Sequence, residues 1–125
     1  MARRDLTGAV DFAYLEDYAA HDAGVIEEVL GLFREQAGMW QRLLDPHAPS
    51  EGWRDAAHTL KGSARGIGAG ALAEACAAAE SSSATEDAVR SERLAQVRDA
   101  LDLALADIAA YLHEQALRSL KGPPA

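Results

Sequence analysis

The chain has 125 residues, with 12 Lys and Arg against 20 Asp and Glu and a formal net charge of −8; an acidic balance of this kind excludes a nucleic-acid footprint, which needs a basic face for the phosphate backbone. The length suits one domain spanning 1–125, with about two thirds of the unfolded surface buried and no need of staples. A single cysteine, Cys76, excludes an internal disulfide, and with no apolar leader and no run approaching 18 apolar residues the expectation is a cytoplasmic protein without a membrane partner.

Alanine-rich composition, few β-branched residues and only two Trp, two Phe and three Tyr point to an all-α chain. Residues 1–10 read as a loose lead-in. Asp11 is placed to cap a short helix from Phe12 to about Ala20, with Phe12, Leu15 and Ala19 on one face. A helix so short lids one end of a larger assembly rather than joining it as a full member. Asp22 caps a long helix over about 23–45, whose broad apolar face is Ile26, Val29, Leu30, Phe33, Ala37, Trp40 and Leu44. Val25, Leu32, Met39 and Leu43 form a flank roughly 100° away. That flank is read as contact with a second neighbouring helix; the rival reading exposes Leu32 and Met39 as part of a docking patch.

Asp45-Pro46-His47-Ala48-Pro49-Ser50 is a turn, since proline disfavours helix at the residue before it. His47 is expected to be solvated there, and Ser50 to cap the next helix, about 51–66. At about 100° per residue, Trp53, Ala57, Leu60, Ala64 and Ile67 form its core stripe. Arg54, His58, Lys61, Gly62 and Arg65 form a second stripe, roughly 120° round the helix. His58 therefore faces outward among basic side chains in an acidic protein. Gly62 costs the helix about 1 kcal/mol relative to alanine and fills no core. What it does is leave free space above His58, because side chains four apart are stacked neighbours. Neutral histidine carries a lone pair near neutral pH, which makes it a nucleophile, and the cations beside it suit a phosphoryl group in transfer.

Gly66, Gly68 and Gly70 reverse the chain. No strand precedes them and no Gly-Lys-Ser/Thr follows, so a nucleotide-binding P-loop is rejected. The fourth helix, about 69–82, buries Leu72, Cys76 and Ala79, with Cys76 read as a packed small hydrophobe. Thr85 is expected to cap a last helix over about 86–119 with a seam of Leu94, Val97, Leu101, Leu105, Ile108 and Leu112. At 1.5 Å per residue that helix is ~50 Å long, so one end should project or bend. Gly122-Pro123-Pro124 closes it, and 121–125 is a tail.

The run His58-Thr59-Leu60-Lys61-Gly62-Ser63, followed by Gly68-Ala69, Leu72, Cys76 and Glu80, resembles the core motif of histidine phosphotransfer (HPt) domains. Ala64 stands where a second serine is frequent in that family. The resemblance covers nearly the whole chain. It implies an antiparallel four-helix bundle with a short extra N-terminal helix. It further implies that His58 accepts a phosphoryl group from an aspartate of one receiver domain and passes it to another. The implied partners are response-regulator receivers and the receiver domain of a hybrid histidine kinase. Lys61 would stabilise the transferring group and Gly62 leave it room, while Arg54, Arg65, Leu32 and Met39 meet the partner. No cofactor is implied for this chain; the receiver supplies Mg2+. The protein is then a monomeric, stoichiometric intermediate, not a kinase, since nothing in this length resembles a nucleotide-binding domain.

Two rival readings stand beside it. A di-iron bundle needs paired Glu-x-x-His motifs facing inward, but Asp55-x-x-His58 comes nearest and His58 points away from the core, while His21 and His113 lack a ligand set. The other is a non-phosphorylated helical adaptor that binds receivers or partner helices through the same surface.

Overall fold

A computed structural model describes residues 6–121. Five helices follow one another: α1 Phe12–Tyr18, α2 Ala23–Leu43, α3 Ser50–Gly66, α4 Gly70–Ser81 and α5 Asp87–Lys121. There is no strand among the described residues. The last four form the expected bundle, each touching two neighbours in the order α2, α3, α4, α5 and back to α2. None of these helices is long and apolar enough to cross a membrane.

The apolar stripes explain the packing. Ile26, Leu30, Phe33 and Ala37 of α2 meet Trp53, Ala57, Leu60 and Ala64 of α3, Leu72, Cys76 and Ala79 of α4, and Leu94, Val97, Leu101 and Ile108 of α5 in one core. A fully buried leucine such as Leu60 contributes roughly 2 kcal/mol by leaving water. Along α5 the buried seam runs Arg90, Leu94, Val97, Leu101, Ala104, Ile108 and Tyr111, a strict alternation of four and three. Leu105 and Leu112, expected in the seam, are only half-buried beside it. The C-terminal turns of α5 project, leaving Leu117 and Leu120 exposed.

Of the four expected helix caps, two stand and two do not. Asp11 and Asp22 cap as read, accepting from the backbone N–H of Tyr14 and Val25. Ser50 is not a cap: it is the first residue of α3, Pro49 holds the cap position, and no side chain accepts a bond there. Proline's fixed φ, −55 here, suits the entry of the chain into the helix, which begins without a side-chain cap. Thr85 is not a cap either, because its hydroxyl donates to the Ser82 carbonyl, closing the turn before α5.

The flank of α2 is a larger correction. Val25, Leu32, Met39 and Leu43 are all exposed, so no second helix covers them. The ring of four helices has no fifth long member to place there, and α1 lies elsewhere. Phe12 of α1 stacks flat on Tyr111 of α5 at 4.3 Å, and the Asp11 N–H donates to the Gly68 carbonyl in the α3–α4 turn. α1 thus covers that end of the bundle. Gly68 has φ +81, and a Cβ there would crowd the Asp11 carbonyl oxygen at 3.1 Å, so glycine is required by both conformation and space.

Residues 6–10 are not a loose lead-in. The Thr7 N–H and hydroxyl and the Ala9 N–H all donate to the buried carboxylate of Asp107 on α5, at 2.9–3.1 Å, and Val10 is buried. A buried carboxylate needs such donors, and the N-terminal segment supplies them. The lead-in over 1–5 and the closing Gly122-Pro123-Pro124 lie outside the described residues.

Candidate functional site

Because Trp53, Ala57, Leu60, Ala64 and Ile67 are buried, the opposite strip of α3 must face solvent. Its members lie together as the spacing requires: Arg54, His58, Gly62 and Arg65 are exposed, while Lys61 is half-covered. The side chain of His58 is 68% accessible. Nothing lies within 4 Å of where a Cβ on Gly62 would be, so no internal contact demands glycine there and the space is open to a visitor. Neither Arg54 nor Arg65 has an ion-pair partner among the described residues.

A carboxylate joins the strip from the next helix. Glu80, in the last turn of α4, lies 2.9 Å from His58 Nδ1 through Oε2 and accepts from Lys61 Nζ at 2.5 Å through Oε1. The last turn of α4 is itself fixed from α3: the Trp53 indole N–H donates to the Ala79 carbonyl at 2.6 Å, which also accepts from the Ser82 hydroxyl. The indole therefore anchors the backbone one residue before Glu80. The Lys61 ammonium, and after it the His58 ring, hold the Glu80 carboxyl below the usual carboxylate range against partial desolvation. An ionised carboxylate only accepts hydrogen bonds. His58 Nδ1 must then be the donor, which leaves the lone pair on Nε2, the ring atom with no partner among the described residues.

Sequence reading set Glu80 in the motif but gave it no role; with cations alone beside the ring, the strip lacked its acceptor. The signal was there in an acidic residue one turn beyond the buried Cys76. Burial pushes the Cys76 thiol up to about 12, so it packs as a neutral small group and is no nucleophile. His47 is exposed as expected, but it is not merely solvated: its Nδ1 lies 2.8 Å from Asp87. His21 pairs with Asp17. Among the described residues no three His, Cys, Asp or Glu side chains converge as metal ligands would.

Leu32 and Met39 are 53% and 43% exposed. Leu32 lines a groove of about 190 Å³ between α2 and α3, together with Val29, Phe33, Gln36, Ser63 and Gly66. This joins the apolar flank of α2 to the helix that carries His58. Met39 lies outside the groove, two turns further along α2.

An exposed histidine on the second helix of a four-helix bundle, braced by a carboxylate and a lysine, fits one class of protein. The Hpt domain family model matches residues 25–111, and the chain belongs to that family. Its role is that of a phosphorelay intermediate. The crystal structure of the histidine phosphotransferase ShpA from Caulobacter crescentus is 58% identical, with a TM-score of 0.75 over 90% of this chain and 99% of that one. The histidine-containing phosphotransfer protein ZmHP2 from maize, 21% identical, superposes with a TM-score of 0.79 over 89% of this chain and 88% of its own, a likeness of fold. A search of curated protein sequences gives no match.

Proposed function

We propose that His58 is the phosphoacceptor and that Nε2 is the atom that carries the group. The observation behind this is the bond from Nδ1 to Glu80, which turns a lone pair on Nε2 toward solvent. A receiver domain presents its aspartyl phosphate in line, Nε2 attacks phosphorus, and the aspartate leaves as carboxylate. An ammonium has three N–H donors; Glu80 takes one from Lys61, and the others serve the equatorial phosphoryl oxygens. The open space at Gly62 admits the receiver. Arg54 and Arg65 meet its acidic face, and Leu32 and Met39 add apolar contact.

The receiver brings the Mg2+. The protein turns over no nucleotide and acts as a single cytoplasmic copy that exchanges phosphoryl groups with response-regulator receivers and with the receiver of a hybrid kinase. The test is a panel of receivers pre-phosphorylated with a labelled small phosphodonor. Wild-type protein should take up an acid-labile, alkali-stable label, and His58→Gln should take up none while keeping its helical spectrum. Label on the variant would move the acceptor elsewhere. Receiver binding with no label on wild-type protein would leave the adaptor reading instead.

A further inference from the structure

Val25, Leu32, Met39 and Leu43 stand exposed along α2, and charge is placed beside them in a regular way. Glu28 and Glu35, seven residues apart and both exposed, lie on the next strip of the helix, about 50° outward from the ridge of Val25, Leu32 and Met39. Val25, Leu32 and both glutamates line one groove of about 700 Å³, with Glu27 on its far wall. Arg34 and Arg42, the basic residues of α2, lie outside it. Val29 and Leu32 line this groove and also the smaller one that reaches Ser63 and Gly66 of α3, so the acidic strip is continuous with the face that carries His58. Neither Glu28 nor Glu35 has an ion-pair partner among the described residues. Gly31 lies between them on the same strip, and a Cβ there would meet nothing within 4 Å. A glycine in mid-helix costs stability; here, as at Gly62, it leaves room for a visitor to come close, in this case between two carboxylates.

The face around His58 therefore changes sign across its width. Arg54 and Arg65 make it positive on α3, the ridge is apolar, and Glu28 and Glu35 make it negative on α2. We propose that Glu28 and Glu35 are specificity-determining residues, which select receivers carrying two basic side chains seven residues apart on a surface helix. Seven residues span about 10 Å of helix, so a helix laid along α2 presents its pair at the spacing of the two carboxylates. The acidic face of such a receiver meets α3 while its basic pair meets α2, and only one orientation satisfies both. A receiver with acidic side chains at those two positions is repelled, and that repulsion separates partners more sharply than a missing contact does. Charges at the rim of an interface act on encounter more than on the later step, so the selection operates when the receiver is scarce.

This rests on His58 taking its phosphoryl group from receivers, and the test separates the two claims. Labelled receivers with and without a Lys or Arg pair seven residues apart on a surface helix are offered to wild-type protein and to the double variant Glu28→Lys, Glu35→Lys. At about 0.05 M salt wild type should prefer the first set. The variant should take label from that set about tenfold more slowly at limiting receiver and at the wild-type rate at saturating receiver, and the difference should vanish at about 0.5 M salt. A second double variant, Glu92→Lys with Asp99→Lys, makes the same change of net charge at exposed positions of α5, diagonal to α3 in the ring of helices, and should keep the wild-type preference. No preference in wild type, a preference unchanged in the α2 variant, or an equal loss in the α5 variant overturns the selection while leaving His58 as acceptor. Wild-type protein that takes label from no receiver overturns both.

Discussion

Asp107 and Glu80 both take hydrogen bonds from other parts of the chain, and they do so to opposite ends. Asp107 is 2% exposed and gathers two backbone N–H groups and a hydroxyl from a segment about a hundred residues earlier. Glu80 sits at the surface, with its side chain 23% exposed, and gathers a lysine and a histidine that are both needed outside. The first arrangement uses up every donor it touches and so holds the N-terminal segment onto α5. The second fixes one atom of a ring and leaves the other free. A polar network therefore serves the fold when it closes on itself, and serves chemistry when it stops one atom short.

Breaking the closed network should give the largest effect on stability and none on transfer. Asp107→Ala leaves the Thr7 and Ala9 N–H groups without their acceptor, and unsatisfied or charge-assisted bonds of this kind cost about 3 kcal/mol together. For a chain of this size the melting temperature should drop by about 10 °C, with Asp107→Asn losing less because one carbonyl oxygen stays. Phosphoryl uptake by the folded fraction should match wild type. If Asp107→Ala melts with wild type, the N-terminal clasp holds nothing.

The open network should respond the other way. Lys61→Ala removes an ammonium whose contact with a phosphoryl group at ~4 Å and an effective dielectric near 20 is worth at most about 4 kcal/mol. Half of that, about 2 kcal/mol, slows transfer about thirtyfold. The melting temperature should change little, since Lys61 pairs only near the surface. Equal transfer rates for variant and wild type would remove Lys61 from the mechanism.

How much of this was legible in the sequence follows from the range of each interaction. Periodicity and caps are local, so α1 and α2 begin where Asp11 and Asp22 said, and the outward strip of α3 stands as the spacing required. Periodicity also says which side of a helix is apolar, but not whether another helix covers it; hence the flank with Leu32 and Met39 was assigned a neighbour it does not have. The clasp from Thr7 to Asp107 joins residues at opposite ends of the chain, and no spacing rule reaches that far. Glu80 fell between these cases. The motif included it, yet only the packing of α4 on α3 brings its carboxylate to Nδ1. Arg90 was hidden for a related reason: it continues the α5 seam as a charged residue, buried because its guanidinium donates to the Ala48 carbonyl and to Asp87 and lies over the Trp53 ring.

Two glycines sharpen the contrast between fold and function further. Gly68 is required by the chain itself, through its positive φ and the backbone of Asp11 pressed against it. Gly62 is required by nothing inside the molecule, for its missing Cβ faces open space, and in mid-helix it costs stability relative to almost any other residue. Gly62→Gln should therefore make the isolated protein more stable, by up to about 1 kcal/mol, or a few degrees in melting temperature. The same side chain would stand one turn from His58 and obstruct an approaching receiver, so transfer at limiting receiver concentration should fall about tenfold, equivalent to ~1.4 kcal/mol of docking. A gain in stability together with a loss of docking is the pattern expected of a residue kept for a partner. Unchanged receiver docking in Gly62→Gln would show that the space above the ring is not used, and access to Nε2 would have to come from the α2 side instead.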